Sequence, residues 1–281
     1  MSDLVPGNSG DPWAALRRLT GARIGLGRAG DSLPTRQLLS LHTAHAVARD
    51  AVHRPLDTDA LVDRIEAVGL GAPYIVGSRA ADRGTYLRRP DLGRLPGDLG
   101  GLPVSGADVG VLLCDGLSPG ALERHGPPLL RALREALLPQ VSVAPPVLAT
   151  QARVALGDHV GARLNVTTMV VVIGERPGLS VPESLGVYVT HLPRQGRTDA
   201  ERNCVSNIHP PDGLDYAEAA RITASLIRGA RALGASGVAL KDTSRERPAV
   251  PTEGAGAPTA NDGSTPTEPA TASASAERPR R

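Results

Sequence analysis

Phenylalanine is absent from this chain of 281 residues, tryptophan occurs once and tyrosine four times, so aromatic residues make up 2% of it. Any core must therefore be built from Leu, Val, Ile and Ala. Charge of one sign is also missing. Thirty-one Lys and Arg against 29 Asp and Glu give a formal net charge of +2. The arginines are spread along the chain, which points away from nucleic acid and from a membrane surface. No apolar run approaches the roughly 18 residues of a spanning helix. The opening residues "MSDLVPGNSGDPW" contain no signal-peptide core, so a cytoplasmic protein is expected. The two cysteines, Cys114 and Cys204, stand far apart with no C-x-x-C pair, so neither a zinc site nor a disulfide is expected.

Glycine, by contrast, is plentiful and patterned. In "ARIGLGRAGDSLPT" the residues Gly25, Gly27 and Gly30 spell G-x-G-x-x-G, the spacing of a dinucleotide-binding loop. Such a loop sends a strand into a tight turn, and the turn into a helix whose N-terminus faces the pyrophosphate. Here Trp13, Leu16 and Leu19 recur upstream at helical spacing, and only Arg23 and Ile24 remain for a strand. Pro34 is the expected first residue of the next helix, several residues past the third glycine. The acid sought about 20 residues on would be Asp50, inside that helix. The expectation is a glycine-rich loop between two helices, permissive enough for backbone to approach something closely.

Residues 1–10 read as a flexible N-terminus, and 11–104 as a mostly helical region ending in a basic, Gly- and Pro-rich linker from "GSRAADRG" onward. Residues 105–242 alternate between strand and helix patterns. The strands are expected in "DVGVLLC", "NVTTMVVVIG", "SLGVYVTH" and "SGVALKD". The helices are expected in "PGALERHGPPLLRALREALL", "PPVLATQARVALGDHVGARL" and "DYAEAARITASLIRGARALG". That alternation argues for a mainly parallel α/β sheet. Residues 243–281 hold no Leu, Ile, Met or aromatic residue and read as a disordered tail.

Ligands of open α/β sheets bind beyond the carboxyl ends of the strands. Two polar loops fall there, "IGERPGLSVPESLG" and "RQGRTDAERNCVSNIHPPDGL". Glu175 in the first reads either as a binding carboxylate or as a surface ion-pair partner of Arg176. Cys204 in the second reads either as an inert thiol or as a nucleophile, the latter only with a base such as His191 or His209 in reach. His45 reads as a core or interface residue. His159, in "GDHVG", does not meet the Asp-x-His-x-x-Gly spacing of some cobalamin domains, because Asp158 is its direct neighbour.

The stretches "ARIGLGRAGDSLPT", "AHAVARDAV", "YLRRPDLGR", "CDGLS", "QARVALGD", "IGERPGLSVPESLGVYVT", "DAERNCVSNI" and "SGVALKD" occur in one order between about residue 12 and Asp242. In this joint pattern the chain resembles the small-subunit family of adenosylcobalamin-dependent ethanolamine ammonia-lyases. The resemblance implies a helical N-terminal region followed by a Rossmann-like, mainly parallel α/β domain over 105–242 that contacts cobalamin. It implies a separate large subunit, a (β/α)8 barrel holding ethanolamine, with adenosylcobalamin between the two chains. It further implies radical deamination to acetaldehyde and ammonia, and a hetero-oligomer of six large and six small chains, in some cases inside a bacterial microcompartment. Carried over residue by residue, the cobalamin contacts are Val154 in "QARVALGD", Glu175 in "IGERPG" and Cys204 in "ERNCVSNI". No catalytic residue and no metal ligand is implied for this chain. A carboxylate suits the amide arms of a corrin rim, and a small apolar residue and a soft thiol suit its apolar faces. One departure is His159, which stands where relatives often carry an acid. Two other readings rest on the same residues: a stand-alone α/β enzyme using Cys204 or the glycine loop, and a scaffold subunit that touches no cofactor.

Overall fold

The computed structural model describes residues 11–138 and 140–242. The flexible N-terminus and the disordered tail expected from the sequence lie outside these residues. In chain order the elements are α1 (Ala14–Arg17), α2 (Thr35–His53), α3 (Thr58–Glu66), β1 (Tyr74–Gly77), α4 (Arg83–Arg88), β2 (Val109–Cys114), α5 (Pro119–Leu137), β3 (Val147–Thr150), α6 (Leu156–Leu164), β4 (Thr168–Gly174), β5 (Leu185–His191), β6 (Asn203–Ile208) and α7 (Tyr216–Leu233).

The continuous aliphatic runs of β2 and β4 are buried at every position, as expected for strands covered on both faces. The sheet order is β1-β3-β2-β4-β5-β6. The pairs β1–β3, β3–β2 and β2–β4 are parallel, whereas β4–β5 and β5–β6 are antiparallel. Among the described strands β5 alone therefore runs against the others, and the fold is the mainly parallel α/β arrangement that the sequence pattern predicts.

Alternation along the strands sorts their side chains into two cores. Val111, Leu113, Val170, Val172 and Val187 pack with Leu61 and Ile65 of α3, Leu129 and Leu133 of α5, and Ile227 of α7. On the opposite face Leu112, Cys114, Val147, Met169, Val171 and Ile173 pack with Leu156, Val160 and Leu164 of α6. Each fully buried aliphatic side chain contributes about 1.5–3 kcal/mol, which is how a chain without Phe closes its core.

Four readings of the sequence need correction. "PPVLATQARVALGDHVGARL" is not one helix but β3 and α6, separated at Gln151, whose φ of 54° ends the strand. "SGVALKD" is not a strand. Gly237 turns it at φ 95°, and the Asn203 side chain holds it by accepting from Gly237 N (2.7 Å) and donating to the Gly237 and Leu240 carbonyls (3.1 and 3.0 Å). The "linker" contains α4 and a short 3-10 turn, Leu92–Arg94, with Tyr86 fully buried. Edge strands β1 and β6 emerge from stretches read as helical region and as loop.

From β2 the chain moves to β3 on one side, and from β3 it returns to β4 on the other. The sheet's topological switch point therefore lies between the carboxyl ends of β2 and β4, where crevices of such sheets open.

Candidate functional site

A cavity of about 400 Å³ opens at that switch point, lined by Tyr86, Gly116, Leu117, Arg153, Val154, Ile173, Gly174, Glu175, Arg176 and Tyr188. Its floor exists because two strand ends approach each other without side chains. Leu117 N donates to the Gly174 carbonyl (2.9 Å). A Cβ on Gly116, which has φ 56°, would stand 2.1 Å from that carbonyl, and one on Gly174 would stand 2.2 Å from the Ser118 carbonyl.

Asp115, just past β2, organises one wall. Its buried carboxylate accepts from the backbone N–H groups of Gln151 (2.8 Å), Ala152 (3.0 Å) and Gly116 (2.9 Å), fixing the loop that carries Arg153 and Val154. Arg83 of α4 bridges Asp115 (3.3 Å), the Gly116 carbonyl (2.9 Å) and the Val52 carbonyl of α2 (2.7 Å). Burial pushes the Asp115 carboxyl above the usual range, opposed by those N–H groups and by Arg83; burial likewise lowers the Arg83 guanidinium. Tyr86 donates its hydroxyl to the Ala152 carbonyl (3.1 Å), and the guanidiniums of Arg83 and Arg153 lie 4.8 and 4.3 Å from its ring centre.

The structure brings Val154 and Glu175 together on this cavity. Glu175 Oε2 accepts from the Ser184 hydroxyl (2.7 Å) and from Asn207 N (3.2 Å), tying the ends of β4, β5 and β6. Its Oε1 accepts no hydrogen bond from the described residues, and Glu175 forms no ion pair with Arg176 among them, so the surface-pair reading of Glu175 fails. Cys204 does not line the cavity. It sits opposite Tyr188 in the β5–β6 register and is exposed. Partial burial and the nearby Glu175 carboxylate push its thiol up, against the pull of the Tyr188 hydroxyl. Neither candidate base is bonded to it: His191 Nδ1 pairs with Thr168 Oγ1 (3.1 Å) and His209 Nε2 with Asn207 Oδ1 (2.8 Å). A raised thiol without a base is a poor nucleophile.

Tyr86, Arg153, Tyr188 and Asp115 escaped the sequence reading. The signal for two of them was scarcity, because Tyr86 and Tyr188 are half of the four tyrosines. Among the described residues no group of three or more His, Cys, Asp or Glu is placed to hold a metal ion. No helix among them is long and apolar enough to cross a membrane.

The glycine loop lies elsewhere. Gly25, Gly27 and Gly30 all have positive φ, Ala29 and Ser32 close a tight turn, and α2 starts only at Thr35. The hollow beside it, about 650 Å³, is bordered by Asp11, Trp13, Arg17 and Arg23. Arg17 is already committed to Asp11 (2.7 Å) and to the carbonyls of Ile24 and Gly25. The loop is fastened to the β4–β5 connection, where Ser180 donates to the Gly21 carbonyl (2.8 Å) and Arg23 donates to the Leu179 carbonyl (3.2 Å).

Residues 10–241 match the family described as ethanolamine ammonia-lyase light chain (EutC). The chain is similar to three proteins named ethanolamine ammonia-lyase small subunit. It is 60% identical to that of Rhodococcus erythropolis over 84% of this chain and 91% of the relative. It is 50% identical to that of Ralstonia nicotianae over 83% and 88%, and 48% identical to that of Azotobacter vinelandii over 86% and 92%.

Proposed function

The chain belongs to the ethanolamine ammonia-lyase light-chain family, and from that premise we propose that it is the small subunit that encloses adenosylcobalamin against a large catalytic subunit. The observation that carries this reading is the meeting of Val154 and Glu175 on one cavity at the switch point. The cavity is too small to take a corrinoid whole and open enough to take its rim, which suits a cofactor shared between two chains.

The lining fits that group. Val154 and Ile173 offer apolar contact, and Glu175 Oε1, which accepts no hydrogen bond from the described residues, is an acceptor to which an amide arm can donate. Ser184 and Asn207 hold the other oxygen, so the carboxylate is oriented before a ligand arrives. Cys204 joins the site through Tyr188, as a soft rim contact and not as a nucleophile. When bound, adenosylcobalamin supplies the radical chemistry by which ethanolamine loses ammonia and gives acetaldehyde. This chain's share is to bind the cofactor, orient it and shut out water.

A partner chain is supported by α2. Of its 19 residues only Ala48 is buried, while Leu38, Leu39 and Val47 are exposed. Large apolar side chains left uncovered on a helix of that length suit an interaction surface, and we assign them to the large subunit in a six-plus-six assembly. The test is co-expression with a large subunit and titration with adenosylcobalamin. The isolated chain should neither bind the cofactor tightly nor turn over ethanolamine, and the complex should do both. Turnover by the isolated chain would overturn the reading.

A further inference from the structure

We infer that Arg153 is the anion-binding residue of the cavity and takes the phosphodiester of the cobalamin nucleotide loop. The inference rests on the cofactor reading above and adds to it the group that selects the complete cofactor over a bare corrin.

Of the two guanidiniums over Tyr86, one is already answered. Arg83, on the same tyrosine, is neutralised by Asp115 and further bonded to two carbonyls. The guanidinium of Arg153 has no hydrogen-bond or ion-pair partner among the described residues, and its Nε is buried without one. A buried charged donor left unpaired is costly, so this residue is held ready for a ligand. It is also held still. The guanidinium lies 4.3 Å from the centre of the Tyr86 ring, and Arg153 N donates to the Gly93 carbonyl (2.8 Å). Gly93 itself leaves the room: a Cβ there would stand 2.9 Å from Arg153 Cγ and 3.0 Å from the Tyr86 ring.

Charge then decides what fits. The cavity is lined by two cations, Arg153 and Arg176, and one anion, Glu175. Glu175 spends one oxygen on Ser184 and Asn207, and forms no ion pair with either arginine among the described residues. The lining therefore keeps a net positive charge. The amide arms of a corrin are neutral, and the anion on its periphery is the phosphodiester leading to the nucleotide base. A planar guanidinium matches two oxygens of such a group at once.

The test uses the reconstituted complex and two probes, cyanocobalamin and dicyanocobinamide, the second of which lacks the nucleotide loop. Equilibrium dialysis followed by visible absorption gives Kd for each. Arg153→Met, which keeps the apolar stem over Tyr86, should weaken cyanocobalamin by about tenfold or more and leave dicyanocobinamide unchanged. Arg153→Lys should recover part of the loss for cyanocobalamin alone. Equal weakening of both probes would mean a merely structural role, and no weakening of either, with impaired subunit association, would mean that the arginine meets a carboxylate of the partner. Either result overturns the inference and leaves the cofactor reading standing. A wild-type complex that binds neither probe overturns both.

Discussion

Glu175 is the residue on which the cofactor reading can be tried most directly. A hydrogen bond to a charged group contributes about 1.5–3 kcal/mol, or about 10- to 150-fold in Kd. Glu175→Ala should raise the apparent Kd for adenosylcobalamin by that factor in a titration of the complex. The KM for ethanolamine at saturating cofactor should stay as it was, because the substrate pocket is expected on the other chain. Glu175 was legible in the sequence because it sits in a polar, glycine-bearing loop after a buried strand, whereas Val154 was reached only through the family resemblance, since its stretch reads as helix. Arg153 was not, although it lies in the same quoted stretch. Its meaning depends on Tyr86, dozens of residues earlier, and on Asp115 having gone to Arg83 instead. Cys204 was legible as a candidate but not as to surroundings, which are Tyr188 across the ladder and two histidines paired with other residues.

The elements that matter most to the cavity are the two strand ends that meet at Gly116 and Gly174. Gly174→Ala would drive a methyl group to 2.2 Å from one backbone carbonyl and 2.5 Å from another. The strand ends must separate, so we expect a loss of about 2–4 kcal/mol, read as a lowered urea midpoint. Gly30→Ala meets no atom within 4 Å and strains only its φ of 63°, so it should cost about 1 kcal/mol. Equal losses at the two positions would refute the close-approach argument. The same elements explain which parts of the fold could be read in advance. β2, β4 and β5 are continuous apolar runs and α7 a long amphipathic one, so burial writes them into the sequence. β3 is only four residues long and flows into an equally apolar helix, so composition does not mark the join. β6 is an edge strand with three exposed positions, and its "NCVSNI" carries the polarity of a loop. "SGVALKD" has the composition of a strand but no neighbour to pair with, since the Asn203 side chain takes its backbone groups.

At the scale of the whole molecule the asymmetry lies between a sheet buried on both faces and an N-terminal arm scarcely buried at all. Leu39 is 60% exposed on α2. Leu39→Asp should leave the melting temperature of the isolated chain within a degree or two, yet weaken its capture of the large subunit in a pull-down titration; undiminished capture would move the interface elsewhere. The family match ends at residue 241, so a chain stopped at Asp242 should assemble and turn over as the full chain does, and a large drop in kcat would contradict this. The arm also carries the chain's one tryptophan, Trp13, on a segment fastened to the β4–β5 connection by two side-chain hydrogen bonds. The protein is thus optically labelled by nature at a single place, and that place is not in its sheet. Emission excited near 295 nm, where tyrosine is silent, reports the arm alone. On heating, it should change before far-ultraviolet circular dichroism does, because weakly tethered segments open ahead of the global transition. Coincident curves would mean that the segment around Trp13 opens only together with the sheet.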